Sequence, residues 1–382
     1  MSDYNNLNYH YIESEESLGQ VVNELSSKQT LYVDFEFDKN HFLYGFNICL
    51  IQISDGKTTY LIDPVRIKNI DNLLTVFSND EIQKVSFAFG EDLRLLHHLG
   101  CKPKNILDLA TARTLLNLPH VSLNSIIEEM TGKALPKSQQ KSNWCERPLT
   151  EEQLKYAALD VEFLPALSDL LIQSINKEGK KHWLQQEIEA INSLDFGTNT
   201  DPKGALEKEK KFFTKREWLR YDALMEFREV EAEKLNKPTY KVLNKKWVED
   251  LARNPDLINQ WPPKTSINPK LKSVSTKKML LSILEDIEQR IKKEGISSAE
   301  NARSPLSIDD KQRKNKLRSE IDSIKVNFYD PIKAEIKNDY GEHFANFLLS
   351  NRKTISIIKN EIQLLPYQQE LINTYSKKLE LR

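Results

Sequence analysis

The sequence predicts a mixed α/β domain followed by an all-α region. Four short β-rich runs lie between residues 29 and 89, with helical patterns between and after them. Strand signals vanish after a polar stretch with glycine and proline at residues 194–212. Because the strands come first and helices follow, we expect a mixed sheet covered by helices. The β-rich runs are QTLYVDFEF, NICLIQIS, TTYLIDP and QKVSFAF.

The chain length of 382 residues is typical of about two or three domains. The α/β domain is expected at residues 1–195 and a linker at 196–213. A first helical domain follows at 214–295 and a second at 296–382. The sequence shows no internal repeat of short period.

Several helix boundaries carry clear local signals. Asp108 and Ser122 are suitable N-caps for the helical patterns that follow them. Thr150 is another, with Gln153 at the capping-box position. The long amphipathic pattern after Thr150 contains Pro165, which should kink or interrupt the helix.

The cysteines and the N-terminus indicate a cellular location. Cys49, Cys101 and Cys145 are far apart, with no C-x-x-C pairing, which argues against a disulfide framework or a thiolate zinc site. The first twenty residues are too polar for a signal peptide. No stretch approaches the ~20 apolar residues of a membrane span. We therefore expect a cytoplasmic protein in a reducing compartment.

Charge is distributed unevenly along the chain. Residues 1–200 hold 18 Lys and Arg against 28 Asp and Glu, a net charge of −10, whereas residues 201–382 hold 37 against 28, a net of +9. A basic half is typical of a nucleic-acid footprint. Solvated helix faces of a lysine-rich protein have the same composition, so charge leaves both interpretations open.

Three acidic motifs are candidates for chemistry. Asp34 and Glu36 are two residues apart on a predicted strand, so both side chains share one face. Asp92 follows a strand and a glycine, in the first turn of a helix. Tyr156 and Asp160 are four apart, on one face of a helix. Taken singly, each motif also fits an ordinary solvent-facing or helix-capping role.

As a set, these motifs resemble the DEDD superfamily of 3′-to-5′ exonucleases, in the subgroup with a tyrosine in the last motif. The segment SQQKSNWCERPLTEEQLKYAALDVEFLPAL at 138–167 is similar to the ribonuclease D signature. ICLIQISDGKTTYLIDP at 48–64 resembles the second strand pair of that family, and KVSFAFGEDL at 84–93 its middle motif. Residues 214–265 resemble a helicase-and-RNase-D C-terminal (HRDC) domain, and 309–382 a second, diverged copy.

The resemblance implies a fold and a chemistry. The first domain should be a ribonuclease-H-like exonuclease domain with a mixed sheet, followed by all-α HRDC-like domains. Asp34, Glu36, Asp92 and Asp160 would hold two divalent cations, Mg²⁺ or Mn²⁺, and Tyr156 would orient the attacking water. The expected activity removes 5′-nucleoside monophosphates from the 3′ end of RNA, such as a tRNA precursor or another structured RNA. We expect a monomer without membrane association.

The chain departs from the family pattern at four positions. The family commonly has a small residue, often Thr, where Phe35 lies, and His where Phe87 lies. It often has acidic residues at the positions of Gln139 and Asn143. None of these is a metal ligand in the pattern. The departures therefore concern grip on the 3′-terminal nucleotide, and so the substrate range.

The basic half offers candidates for phosphate contacts. Trp247 and Tyr240 could stack on bases, although core packing is the preferred interpretation for both. His97 and His98 are adjacent and do not share a helix face, so we interpret them as structural. The candidate nucleic-acid-binding residues are Lys241, Lys245, Lys246, Lys311, Arg313 and Lys314.

Two rival functions remain at this stage. The first is an exonuclease that acts on DNA, which the absence of a phosphate-cradling G-x-x-x-x-G-K-[ST] loop makes less attractive. The second is a catalytically silent RNA-binding protein. The complete set of carboxylates together with Tyr156 argues against that reading.

Overall fold

The computed structural model describes residues 7–133, 139–196, 206–303 and 308–381. Half of the predicted linker, residues 197–205, lies outside these ranges. The chain forms two compact units. The first contains residues 1–36, 48–198 and 309–382, and the second contains residues 37–47 and 199–308.

The first unit is built on a mixed sheet, as the sequence predicted, and this sheet has six strands. The strand order is β1-β4-β3-β2-β5-β6. β1 runs parallel to β4, and β2, β5 and β6 run parallel to one another, whereas β3 and β4 are antiparallel. The strands are β1 Tyr9–Ile12, β2 Thr30–Lys39, β3 Phe46–Ser54, β4 Thr59–Ile62, β5 Gln83–Ser86 and β6 Ile106–Asp108.

Helices surround this sheet and form most of the second unit. The eight that follow the strands of the first unit are α1 Glu15–Leu25, α2 Asp71–Ser78, α3 Gly90–His98, α4 Leu109–Leu115, α5 Leu123–Thr131, α6 Glu151–Glu162, α7 Leu164–Lys177 and α8 Lys181–Ser193. The later ones are α9 Lys215–Leu235, α10 Thr239–Val242, α11 Lys245–Arg253, α12 Val274–Lys293, α13 Ile308–Ile324, α14 Asp330–Tyr340, α15 Glu342–Leu348, α16 Asn351–Ile358 and α17 Pro366–Lys378.

The predicted helix boundaries are confirmed. Asp108 and Ser122 cap α4 and α5 by accepting backbone N–H groups of the first turn. Thr150 and Gln153 form a reciprocal capping box at the start of α6. The long helical pattern breaks at Phe163, and Pro165 lies in the first turn of α7, where its missing N–H leaves no helical bond unmade.

The sequence reading missed the two outer strands of the sheet. β1 is only four residues long and mostly aromatic and polar, and β6 has three residues before α4 begins. Neither is long enough for a period-two pattern to stand out from its surroundings. Both lie at sheet edges, where a strand needs partners on one side only.

The C-terminal segment, residues 309–382, shares a core with the first unit, and does not form a compact unit of its own. The structure thus differs from the expected separate domain at 296–382, because the apolar faces of its helices pack on α4 and α8. The HRDC-like character of both helical regions stays a prediction. Buried residues shared by this core include Leu115, Leu164, Leu167, Ile332, Ile336, Phe344, Leu348 and Tyr367.

Specific contacts fix this segment in place. The ring of Trp183 on α8 stacks on Phe344 and on Tyr367, at centroid distances of 5.5 and 5.0 Å. Asn117 Oδ1, in the loop after α4, accepts the backbone N–H groups of His343 (2.9 Å) and Phe344 (3.2 Å). The first turn of α15 is therefore capped by a side chain more than two hundred residues earlier in the sequence.

A buried carboxylate completes the junction. Glu187 on α8 is 8% exposed and accepts hydrogen bonds from Tyr367 Oη (2.5 Å) and Gln368 Nε2 (2.8 Å). Tyr367 is nearly inaccessible, and burial together with the charge of Glu187 raises the pKa of its hydroxyl. A buried charge of this kind is tolerable only because both donors satisfy it.

The cysteine prediction is wrong for one pair. Cys49 on β3 and Cys145, before α6, form a disulfide, with Cα atoms 4.9 Å apart and 96 positions between them in the sequence. The sequence does not indicate this pair because the two cysteines are far apart in the chain. In the fold, β3 and the loop before α6 belong to one cluster. Cys101 is free and buried.

The second unit has its own aromatic core. Trp218, Tyr221 and Phe227 of α9 are buried together with Trp247 of α11. The hairpin loop between β2 and β3 belongs to this unit, and Tyr44 packs against its core.

Within the described residues, no helix is long and apolar enough to cross a membrane.

Tyr367→Phe should lower the free energy of unfolding by about 1–3 kcal/mol, because the buried Glu187 loses one of its two donors. Urea unfolding followed by circular dichroism measures this loss. Gln369→Ala, which removes an exposed hydrogen bond to Asn373 on the same helix, is the matched control and should change stability by no more than about 0.5 kcal/mol. Equal effects of the two substitutions would contradict a role for Glu187 as an anchor.

Candidate active site

The strand β2 presents two carboxylates on one face. Leu31, Val33 and Phe35 alternate with them and are buried, at 1%, 0% and 4% exposure. Asp34 is half-buried and Glu36 is 9% exposed. The strand is therefore anchored by its apolar face, and its interior position in the sheet makes the carboxylates part of a rigid surface.

Asp160 joins these two carboxylates from helix α6. Asp34, Glu36 and Asp160 each place one carboxylate oxygen within 4.8 Å of the others. Asp160 is 6% exposed, and its neighbours Leu159 and Val161 are buried. No sequence pattern indicates how far β2 lies from α6, so the fold brings these three side chains together.

Asp92 lies beside the three-carboxylate group without being part of it. It is 7% exposed, in the first turn of α3. Its negative charge contributes to the raised pKa of Glu36, which places the two carboxylates within electrostatic range of each other. All four predicted acidic residues therefore occupy one neighbourhood of the first unit.

A second aspartate holds the turn that delivers Asp92. Ala88, between β5 and α3, has a φ of 60°, in the left-handed region of backbone conformation that residues other than glycine rarely adopt. Asp108 accepts the backbone N–H groups of Ala88 (2.8 Å) and Phe89 (3.1 Å) while it caps α4. These bonds offset the strain of the turn, so Asp108 acts as a positioning group for Asp92.

Burial and mutual repulsion disfavour the charged forms of the cluster. Burial raises the pKa of Asp34 to about 7. Burial and the nearby charge of Asp34 raise the pKa values of Glu36, Asp92 and Asp160 well above their ordinary range. A set of carboxylates in this state binds either protons or cations.

The donor chemistry fits a hard divalent cation. The four side chains offer only carboxylate oxygens, the ligands that Mg²⁺ and Mn²⁺ prefer. Within the described residues, the group of Asp34, Glu36 and Asp160 is the only close set of three or more potential metal-ligating side chains. The sequence-based choice of cation class agrees with this donor set.

Tyr156 lies one helical turn before Asp160. Its side chain is half-buried, and its ring centroid is 6.0 Å from that of Trp144. Trp144 is 2% exposed and packs with Leu149 and Ala157 in the cluster that holds the Cys49–Cys145 disulfide. The orientation of Tyr156 therefore depends on the loop that precedes α6.

An ion pair that the sequence did not reveal fixes this loop. Arg147 forms a two-pronged contact with Asp63 at the end of β4, through Nε (2.5 Å) and Nη2 (2.6 Å). Its guanidinium also donates to the carbonyl oxygens of Trp144, Glu146 and Cys49. Asp63 is completely buried and also accepts the hydroxyl of Tyr11. Nothing local to Asp63 in the sequence indicates a partner 84 positions away.

The family departures have different structural consequences. Phe35 lies in the core, with its ring 5.3 Å from Phe77 and 5.9 Å from Phe89, and therefore contacts neighbouring side chains of the core. Phe87 is half-buried and lines a surface cavity. Asn143 donates to Glu146.

The candidate nucleic-acid residues fall into two groups. In the second unit, Lys245 pairs with Glu209 (2.6 Å) and Lys246 with Asp250 (2.9 Å), and Lys241 is exposed, with its ammonium 5.5 Å from the ring of Phe42. On α13, the exposed set comprises Lys311, Arg313 and Lys314.

The aromatic and histidine candidates are also resolved in position. Trp247 is a core residue, as preferred, at 8% exposure. Core packing is wrong for Tyr240, which is 49% exposed and donates its hydroxyl to the carbonyl of His41. His97 is buried against Phe196, which fits a structural role, whereas His98 is exposed and its structural role stays a prediction.

Residues 9–176 match the family model of the 3′-5′ exonuclease. The matched range contains all four carboxylates and Tyr156. The chain carries a 3′-5′ exonuclease domain. The four carboxylates with raised pKa values therefore all lie in the part of the chain that matches the exonuclease family.

Similar proteins extend this relationship. The chain is 31% identical over 251 residues to ribonuclease D of Zymomonas mobilis, which covers 64% of this chain and 63% of that protein. It is 32% identical over 179 residues to DNA polymerase I of Aquifex aeolicus, covering 46% of this chain and 30% of the polymerase. The match thus spans less than two thirds of the length of these relatives.

A solved structure supports the fold over nearly the whole chain. Escherichia coli RNase D, an exoribonuclease involved in structured RNA processing, aligns with a TM-score of 0.68 at 21% identity. The alignment covers 97% of this chain and 99% of that protein. The exonuclease domain and the helical region therefore have a common architecture in the two proteins.

Arg147→Ala should destabilise the exonuclease domain by about 3–5 kcal/mol, because it leaves the buried Asp63 without its cation. The matched control is Arg66→Ala, since Arg66 approaches the same carboxylate to 3.9 Å but is 46% exposed. That control should cost at most about 1 kcal/mol. Urea unfolding of both variants gives the comparison. Similar losses of unfolding free energy would mean that Arg147 does not stabilise the domain through Asp63.

Proposed function

We propose that this protein is a ribonuclease D-like 3′-to-5′ exoribonuclease that releases 5′-nucleoside monophosphates. The observation that carries the proposal is the convergence of Asp34, Glu36 and Asp160 within 4.8 Å on an exonuclease domain, with Asp92 beside them. Hydrolysis of a phosphodiester requires a water nucleophile, neutralisation of charge on the phosphate and stabilisation of the leaving oxygen. Buried carboxylates alone would oppose an anionic substrate.

The four carboxylates are proposed to hold two divalent cations, Mg²⁺ or Mn²⁺. Such ions, when bound, supply Lewis acidity, a water nucleophile at neutral pH and compensation of charge. Asp34 is central to the arrangement, because its charge contributes to the raised pKa of each of the other three carboxylates. The protein provides the fixed positions, through β2, α3 and α6.

Tyr156 is proposed to orient the attacking water. Its spacing from Asp160 places the phenol on the same face of α6 as that carboxylate. A phenol both donates and accepts hydrogen bonds, so it can hold a water without removing the proton itself. The packing of Trp144 against Tyr156 limits the positions that the phenol can adopt.

RNA is the preferred substrate class, and precursors of tRNA or other structured RNAs are the proposed targets. The resemblance to ribonuclease D supports this choice. Lys241, Lys245, Lys246, Lys311, Arg313 and Lys314 are proposed as phosphate contacts, with the exposed set on α13 preferred over Lys245 and Lys246, whose charges are partly engaged by carboxylates. We further propose a monomer in the cytoplasm.

A DNA-directed exonuclease is the second candidate. The similarity to DNA polymerase I of Aquifex aeolicus across the exonuclease domain favours it. The carboxylate cluster is compatible with either sugar, since it addresses the phosphate. Substrate choice must therefore be measured on matched strands.

The deciding experiment is a time course with 5′-labelled single-stranded RNA and DNA of one sequence, in Mg²⁺, Mn²⁺ or EDTA. We expect a ladder that shortens from the 3′ end of RNA and needs metal. Asp160→Asn should reduce the rate by roughly a thousandfold or more, because it removes a proposed metal ligand.

Asp71→Asn, an exposed acidic residue in the first turn of α2, is the control and should retain full activity. A preference for DNA would support the second candidate. Binding of RNA without cleavage in any metal would overturn the enzyme proposal and indicate an RNA-binding protein.

The raised pKa of Asp34 predicts a pH-dependent stability. The folded protein binds this proton more tightly than the unfolded chain, so metal-free stability should fall as the pH rises from about 4 to about 7. Asp34→Asn should therefore be more stable than the unmodified protein at pH 8 in EDTA, by about 2 kcal/mol, with little difference at pH 4.

Thermal unfolding across pH, with and without Mg²⁺, measures this effect independently of activity. Mg²⁺ should raise the melting temperature of the unmodified protein at pH 8, and should raise that of Asp34→Asn much less. Asp71→Asn should follow the unmodified protein throughout. Identical pH profiles for Asp34→Asn and the unmodified protein would contradict the coupling of this carboxyl group to folding.

A further inference from the structure

A cavity of about 130 Å³ opens on the first unit, outside the carboxylate cluster. Two aromatic side chains, Phe87 and Phe347, form part of its wall, together with Thr111, Arg113 and His120. None of the described residues that line it is acidic. This is a local exception in the N-terminal half of the chain, where residues 1–200 carry a net charge of −10.

Shared structural elements connect the cavity to the proposed active site. Phe87 immediately precedes the Ala88–Phe89 turn, which Asp108 holds and which leads to Asp92. Asp108 also caps α4, the helix that carries Thr111 and Arg113. The same turn and the same side chain therefore position both this part of the cavity wall and Asp92.

The far wall comes from the C-terminal segment. Phe347 lies on α15, and the ammonium group of Lys353 lies 5.1 Å from the centroid of its ring. The base of α15 is fixed by Asn117, in the loop that continues to His120. The C-terminal segment thus contributes a side chain to a concave surface of the exonuclease domain, in addition to burying its core.

The lining chemistry suits an unpaired nucleobase with a neighbouring phosphate. Aromatic faces stack on any base, and Arg113 supplies a guanidinium group in a lining that contains no carboxylate. Drug-sized ligands occupy roughly 300–1,000 Å³, so this smaller cavity matches a single flat ring better than a large ligand. Arg113 is 8% exposed and donates to the carbonyl of Pro119, so its position is fixed before any ligand arrives.

We propose that this cavity binds one unpaired nucleobase of the RNA strand whose 3′ end lies at the carboxylate cluster, with Phe347 as a stacking surface. This inference rests on the proposed function and adds to it a binding site upstream of the cleaved bond. The C-terminal segment then takes part in substrate selection, because a strand with a missing base at this position loses the stacking contact.

The test uses decaribonucleotides that each carry one abasic residue, at successive positions from the 3′ end. Dissociation constants are measured with the full chain carrying Asp160→Asn, which prevents cleavage. At one internal position, the missing base should weaken binding about tenfold. Phe347→Leu keeps most of the packing volume but lacks the ring. It should weaken the binding of intact RNA by a similar factor, and its affinity should no longer depend on a missing base at that position.

Three further variants control for folding and for general effects. Phe347→Tyr should restore the response to the abasic position, because it restores an aromatic face. His120→Ala, at an exposed loop position of the lining, should weaken the binding of intact RNA, because it removes a ring that can form hydrogen bonds. Leu170→Ala, a 54% exposed apolar residue of α7 that does not line the cavity, should change neither measurement.

Turnover separates this inference from the proposed function. With Asp160 unchanged, Phe347→Leu should cleave a dinucleotide at the unmodified rate and show a raised KM only on longer RNA. If the unmodified protein cleaves RNA but Phe347→Leu keeps both its affinity and its response to every abasic position, the inference is overturned and the proposed function stands. A chain that leaves all RNA intact overturns both.

Discussion

The burial of like charges at one point of the sheet is the constraint on which the rest of the structure depends. Asp34, Glu36, Asp92 and Asp160 occupy one neighbourhood, and desolvation is the largest cause of the raised pKa in each. Such an arrangement persists only when the backbone around it is strongly determined. The apolar face of β2, the Asp108-bound turn and the capping box of α6 each supply part of that determination.

The supporting contacts form a second layer behind the carboxylates. Asp108 holds a left-handed residue in place, and Arg147 ties the loop of Trp144 to the end of β4. Both use a charged group whose hydrogen-bonding capacity is met by several backbone groups. This is the arrangement in which a buried charge contributes order at the smallest desolvation penalty, because nearly all of its lone pairs or protons have partners. At the four carboxylates of the site, burial instead raises the pKa values.

Local signals explain how much of this could be read from the sequence. Some features depend only on residues that are close together in the sequence, so spacing alone indicates them. They are the caps at Asp108, Ser122 and Thr150, the break at Pro165 and the strand of Asp34 and Glu36. The Asp63–Arg147 pair, the Cys49–Cys145 disulfide and the packing of residues 309–382 join positions distant in sequence. No periodicity encodes such contacts. The helical character of the C-terminal segment was therefore predictable, whereas the surface that it covers was not.

The two phenylalanines that depart from the family pattern illustrate the difference between a substitution absorbed by a core and one presented to solvent. Phe35 alternates with the carboxylates on β2, so its side chain enters the core, where the rings of Phe77 and Phe89 surround it. A larger residue there changes packing, and reaches the carboxylates only through the backbone of β2. Phe87 follows β5 directly and lines an open cavity. A phenyl ring in place of an imidazole removes two polar nitrogens from that wall while keeping a flat aromatic face. A difference in substrate range between this protein and its relatives should therefore originate on the Phe87 side of the site.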